Sequence, residues 1–238
     1  MSKITAKDFI INAFFPKRCA LCGRLINPHS VLCSECENGD FYIKGDICPL
    51  CGAEKEHCNC KKHRNSYSSV VAPFYYEGGA KTAVLKLKFG ENRQYAKNLA
   101  EFMAKCVCER YPETEFDEIA YVPMTKSQVR ERSFNQSELL ARQLGKILSK
   151  PVSDCLVKEF ETGQQHSLKE SLRKGNVLGA FNISDSASVK DKTFLLCDDI
   201  KTTGATLNEC AKMLRLSGAK DVICVTAAIT KKQVDKTD

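Results

Sequence analysis

Eight of the fourteen cysteines in this 238-residue chain fall between Cys19 and Cys60. No other feature restricts the possible folds as much. A disulfide framework would spread along the chain and would need an oxidising compartment. The N-terminal stretch MSKITAKDFIINAFFPKR has only a short apolar run, Phe9 to Phe15, with no small-residue cleavage site after it. It does not read as an export signal. The expectation is a cytoplasmic chain with reduced thiols, whose clustered cysteines serve metal.

The spacing supports this. Cys19, Cys22, Cys33 and Cys36 follow C-x2-C-x10-C-x2-C, and Cys48, Cys51, Cys58 and Cys60 follow C-x2-C-x6-C-x-C. A C-x2-C turn presents two thiolates to one side of a tetrahedral ion, and a second pair closes the shell. Eight thiolates fit two structural zinc ions. One zinc, ligands interleaved between the groups, and an iron–sulfur cluster are the alternatives. In the less regular second group, His57 or His63 is a substitute ligand, whereas His29 reads as a solvated loop residue. The module holds too little apolar surface to fold unaided.

The rest of the chain has ordinary globular composition, with 43% hydrophobic and 27% charged residues, and no run of apolar residues long enough to span a membrane. The net charge of +7 is spread along the sequence, so charge alone does not establish nucleic-acid binding. Residues 1–18 read as a helical lead-in whose Phe9, Ile10, Phe14 and Phe15 dock on the body, the alternative being a membrane anchor. Residues 19–62 form the double zinc-binding module, and the basic, polar KKHRNSYS (61–68) reads as a linker. From residue 69 to 238, apolar strands alternate with amphipathic helices. FDEIAYVPM, KTFLLCDDI and KDVICVTAAIT read as strands, and FNQSELLARQLGKILS and ATLNECAKMLRLSG as helices. This alternation predicts an α/β fold, a mainly parallel sheet flanked by helices. Cys106, Cys155, Cys197, Cys210 and Cys224 sit at apolar positions and read as small core residues.

The strongest chemical signal is FLLCDDIKTTGATLNECAKML. An apolar strand, Phe194 to Cys197, ends at Asp198 and Asp199; a small-residue loop, Lys201 to Thr206, then leads into a helix. Such a junction offers backbone N–H groups and a helix dipole to an anion. Thr202, Thr203 and Thr206 add hydroxyls, and Gly204 permits close approach. Two carboxylates just ahead of a phosphate cradle suit the vicinal hydroxyls of a sugar. Together they specify a ribose bearing a 5′-phosphate. The spacing is not that of a P-loop.

LLCDDIKTTGAT resembles the phosphoribosyl pyrophosphate (PRPP) motif of type I phosphoribosyltransferases. With the cysteine ribbon, LKLKFGE, YVPMTKSQVRERSFNQSELLA and QQHSLKESLRKGNVLGAF, the chain resembles the ComF family over most of its length. Ser133 departs from the pattern, since the family usually has Gly before Phe134-Asn135-Gln136. The resemblance implies that Asp198 and Asp199 hold the ribose hydroxyls. Lys201, Thr202, Thr203, Gly204, Ala205 and Thr206 would wrap the 5′-phosphate. Pro123, Met124 and Thr125 would form a pyrophosphate loop, with Lys126, Arg130 and Arg132 neutralising the diphosphate or simply solvated. Gln165, Arg173 and Asn176 fall in a stretch of the kind that forms a mobile lid. Lys86 and Lys88 read as surface lysines rather than cleft residues.

Two function classes follow. The first is a phosphoribosyltransferase that binds PRPP with Mg²⁺ and transfers ribose 5-phosphate to an unknown acceptor. The second is a non-catalytic DNA-uptake accessory protein, linked by the resemblance to natural competence, that uses its zinc module and basic segments to bind single-stranded DNA, a competence helicase or another DNA-processing protein. A PRPP-sensing regulator that has lost catalysis is a third reading.

Overall fold

The structure is a computed structural model that describes residues 16–60, 65–89, 94–158, 180–184 and 187–231. The expected N-terminal helix, His63 and the segment with Gln165, Arg173 and Asn176 lie outside these residues.

The apolar runs form the centre of the sheet. β7 (Thr193–Lys201) and β8 (Asp221–Ile229) pair in parallel, from Thr193 opposite Asp221 to Lys201 opposite Ile229. β3 (Glu118–Tyr121) and β4 (Val152–Ser153) extend the sheet on one side, and β1 (Ser69–Val71) lies on the other. β2 (Phe74–Tyr75) also pairs with β8, in the same register as β1. The break between them falls at Ala72–Pro73, where proline has no N–H to give the ladder. Every pairing in this sheet is parallel.

Period-two alternation divides β7 between two cores. Phe194 and Leu196 pack with Leu207, Cys210 and Leu214 of α6 (Ala205–Leu216) on one face. Leu195 and Cys197 pack on the other face, with α2 (Gly78–Lys88), α3 (Gln94–Arg110) and α5 (Gln136–Leu148). A separate antiparallel pair, β5 (Leu156–Lys158) and β6 (Phe181–Ile183), joins the α6 side. Cys106, Cys155, Cys197, Cys210 and Cys224 are buried as expected, and Cys108 is exposed.

The cysteine module contains a short helix, α1 (Ser34–Glu37), and a 3-10 turn at Lys55–His57 that its composition did not signal. It shares a core with the sheet through Leu21, Phe41, Ile43 and Ala53. It also covers the sheet's edge: Tyr75 donates its amide to the Phe41 carbonyl at 2.7 Å, and Ile43 donates to the Pro73 carbonyl at 3.0 Å. Covering an edge strand removes a site of unwanted pairing. Phe74 carries the seam, with ring centroids 5.2 Å from Tyr42, 5.8 Å from Phe41 and 5.1 Å from Phe102.

Candidate functional site

The eight cysteines converge as two separate groups, Cys19/Cys22/Cys33/Cys36 and Cys48/Cys51/Cys58/Cys60, each with its sulfurs within 4.8 Å of one another. The ligands are therefore not interleaved. Tetrahedral zinc with Zn–S near 2.3 Å places its sulfurs about 3.8 Å apart. The Cys22–Cys33 and Cys51–Cys58 sulfurs, both 3.6 Å apart, fit that shell. The local backbone favours thiolate as well. Burial raises the Cys19 thiol, but the amides of Cys33, Cys22 and Leu21 outweigh it and lower the thiol to about 6. The amide of Cys60 donates to the Cys58 sulfur at 3.3 Å. Burial and the neighbouring thiols push Cys36 and Cys51 up, a conflict that a divalent cation among the four sulfurs resolves. His57 lies against Glu54 and Glu56 and is no ligand of the second group; His29 is exposed.

One residue of the first site escaped sequence reading. A Cβ at Gly79, in the first turn of α2, would collide with the Cys36 sulfur. The glycine is there so that the helix can back onto the metal site.

At the acidic pair, the expected strand KTFLLCDDI is observed as β7, which carries Asp198 and Asp199 within it and ends one residue later, at Lys201. The loop proper is Thr202–Gly204, and Ala205 and Thr206 already belong to α6. Gly204 has φ +85°, a left-handed conformation that L residues rarely adopt; a Cβ there would also lie 3.0 Å from Lys201 Cε. Thr202 and Thr203 are exposed, while the Lys201 side chain is buried beneath the turn. Among the described residues, the amides of Thr202, Thr203 and Gly204 donate to no protein group, and Thr203 Oγ1 accepts from the amide of Ala205.

Asp198 is buried, and its Oδ1 accepts from the Ser137 hydroxyl at 2.7 Å and from the Asp199 amide at 2.9 Å. Burial, then the charge of Asp199, pushes its carboxyl up to about 8. Asp199 is raised by burial too. The Ile200 amide, at 2.7 Å from its Oδ1, and then the cations of Lys88 and Arg132 act against that rise. Lys88 is thus half-buried at the end of α2 and faces the acidic pair, where sequence reading put it among surface lysines.

Ser137 is a second residue the sequence did not single out, and the Phe134-Asn135-Gln136 segment explains its position. Asn135 caps α5, its side-chain oxygen accepting from the amides of Ser137 and Glu138, and its Nδ2 holds the Val122 carbonyl at 3.0 Å. Gln136 Nε2 donates to the carbonyl of Lys88 at 3.3 Å. The segment thereby ties β3, α2 and the N-terminus of α5 together around Asp198. Ser133, just before it, has φ 67°, so a left-handed position usually served by Gly carries a serine here.

Pro123, Met124 and Thr125 leave the end of β3, as expected of a loop at the sheet's C-terminal edge. Thr125 is buried and caps α4 (Lys126–Arg132) in a reciprocal pair with Gln128. Its hydroxyl is thus committed to the helix start. Arg132 faces Asp199; Lys126 and Arg130 lie exposed on α4.

Comparison with known proteins adds the lineage. Residues 133–238 match the phosphoribosyl transferase domain family, and residues 10–65 match the double zinc ribbon domain family. Competence protein F of Haemophilus influenzae is 31% identical over 221 residues, 88% of this chain and 95% of that protein. The DNA utilization protein YhgH of Escherichia coli is 29% identical over 217 residues, 87% and 94% of the two chains. Competence protein ComFC of Streptococcus pneumoniae is 30% identical over 223 residues, 86% and 96%.

Proposed function

The chain belongs to the family of competence protein F, and on that premise we propose that it binds PRPP at the end of β7 and transfers ribose 5-phosphate to a nitrogenous acceptor. The observation that carries this reading is the junction of an acidic pair, Asp198 buried and Asp199 half-buried, with an open, glycine-turned loop at a helix start, at the C-terminal end of a central strand of a parallel sheet. Asp198 and Asp199 accept hydrogen bonds from the ribose hydroxyls. Lys201 to Thr206 wrap the 5′-phosphate, to which the open amides of Thr202, Thr203 and Gly204 donate. Pro123 to Thr125 and the cation of Arg132 lie toward the diphosphate, with Lys126 and Arg130 at the rim.

As pyrophosphate leaves the anomeric carbon, positive charge develops on the ribose ring, and the two carboxylates stabilise it electrostatically. Mg²⁺ bound with PRPP would neutralise the departing diphosphate. The raised proton affinity of Asp198 suits a group that holds a proton when the site is empty and releases it when cationic charge arrives. The two cysteine groups would each hold a structural zinc with a closed four-sulfur shell. The reduced cysteines are in keeping with a cytoplasmic protein, and no described helix is long and apolar enough to cross a membrane.

The test is PRPP-dependent release of pyrophosphate across a panel of nucleobases and amines, alongside calorimetric binding of PRPP at millimolar Mg²⁺. An absence of PRPP binding would end the proposal. Binding without turnover on any acceptor would point to a PRPP sensor. The relatives' names support a second role in handling incoming DNA, with single-stranded DNA or a DNA-processing protein as partner. Affinity for single strands should then fall steeply with salt.

A further inference from the structure

The second cysteine site and the loop after β7 share a wall. Cys51, His57 and Cys60 line one side of a narrow crevice, and Lys201, Thr202 and Thr230 line the other. The dipeptide Ser66–Tyr67 also joins the two elements. Tyr67 is 4% exposed, and its hydroxyl donates to the Leu50 carbonyl at 2.9 Å, inside the Cys48–Cys51 turn. Asn65 Nδ2 donates to the same carbonyl at 3.1 Å. On its far side the Tyr67 hydroxyl meets the loop: a Cβ at Gly204 would lie 3.4 Å from that oxygen. Ser66 donates its amide to Asn208 Oδ1 at 2.7 Å, and Asn208 donates its own amide to the Gly204 carbonyl at 2.9 Å. Thr230 closes the circuit, its amide donating to the Lys201 carbonyl at 3.0 Å.

We propose that Tyr67 is a positioning residue that links the Cys48–Cys51 turn to Gly204, so that closing the second cysteine site around its metal steadies the loop in its anion-ready shape. The Leu50 carbonyl is fixed by the metal-bound turn on both sides of it. The buried hydroxyl is fixed by that carbonyl, and the left-handed Gly204 lies next to the hydroxyl, with no room to spare beyond a methyl group. Free the carbonyl, and the turn that aims the amides of Thr202 to Gly204 loses one of its supports on this wall, beside the bonds that Thr230 gives the carbonyls of Lys201 and Thr202 at 3.0 and 3.4 Å. The first cysteine site has no such reach. It backs onto α2 at Gly79 and onto α3 through Asn98, whose Nδ2 donates to the Ala20 carbonyl at 3.0 Å.

The inference deepens the proposed PRPP site and rests on it only for the ligand. The test therefore has two arms, both on the full chain. Tyr67→Phe keeps the ring and removes the hydroxyl. Hydrogen exchange at the amides of Asn208 and Thr230, which report on the loop carbonyls, should rise about tenfold without ligand, the expected scale for one lost buried hydrogen bond. Zinc content should be unchanged. Cys60→Ser should produce the same local rise, and the double variant no more than the larger single effect. In the ligand arm, PRPP affinity should fall about tenfold in Tyr67→Phe, on the same footing. Unchanged exchange in Tyr67→Phe overturns the link, as does a rise spread equally over β8 and α3. A wild-type protein that binds no PRPP but shows the local exchange pattern sinks the PRPP reading and leaves the link standing.

Discussion

The cysteine groups and the acidic pair both crowd potential negative charge into a few ångströms, and they resolve it in opposite ways. In the first cysteine group, backbone amides draw the proton off Cys19 while burial raises Cys22 and Cys36, leaving a divided cluster that calls for a permanent cation. At the end of β7, burial does the reverse and holds a proton on Asp198. One region is built to be neutralised once, when the protein folds around metal. The other stays chargeable, and Lys88 and Arg132 only partly offset Asp199. A structural site and a working site can thus be told apart by what the backbone does to the same electrostatic problem.

The largest expected effect tests the first half of that contrast. Cys36→Ser should remove one of two zinc ions, by elemental analysis, and lower Tm on the order of 10 °C, because the module shares the sheet's core and its metal stabilises the fold. A loss of zinc without loss of Tm would break the comparison.

Asp198→Asn tests the second half. PRPP affinity should fall about 10- to 100-fold, the scale of a charge-assisted hydrogen bond, as read by calorimetry. Stability should move the other way. A carboxyl whose folded-state value is raised contributes stability at low pH that is lost as pH climbs toward about 8. Wild-type Tm should therefore decline between about pH 4 and pH 8 relative to the variant, whose neutral amide still accepts from Ser137, and level off above that. Parallel Tm curves would mean that Asp198 is ionised throughout.

Lys88→Met should have a smaller effect. It removes a cation that faces Asp199, so PRPP affinity should drop about fivefold, and less at high salt, where screened charges matter less. Ser133→Gly should be the smallest change and a favourable one. Relieving a left-handed serine is worth about 1 kcal/mol and should raise Tm by about 2–4 °C without altering zinc content or PRPP binding. An unchanged Tm would show that the surrounding helix ends already absorb the strain.

The chain itself determined what depends on short-range spacing. Three C-x2-C turns, starting 14 and 15 residues apart, dictate cysteine knuckles, and an apolar strand followed by Asp-Asp and Thr-Thr-Gly-Ala-Thr dictates a strand–loop–helix junction, because each needs only neighbours in sequence. The alternation of apolar runs with amphipathic ones likewise dictated a parallel sheet with helices on both faces. Tertiary structure decided everything that depends on what meets across the fold. It separated the eight thiols into two groups and brought Ser137 and Lys88 to the acidic pair from helices that the sequence places 50 to 110 residues away. It also set Tyr67 between a cysteine knuckle and the loop after β7. The reason is physical: burial and long-range hydrogen bonds set a carboxyl's proton affinity, and neither exists until the layers have packed.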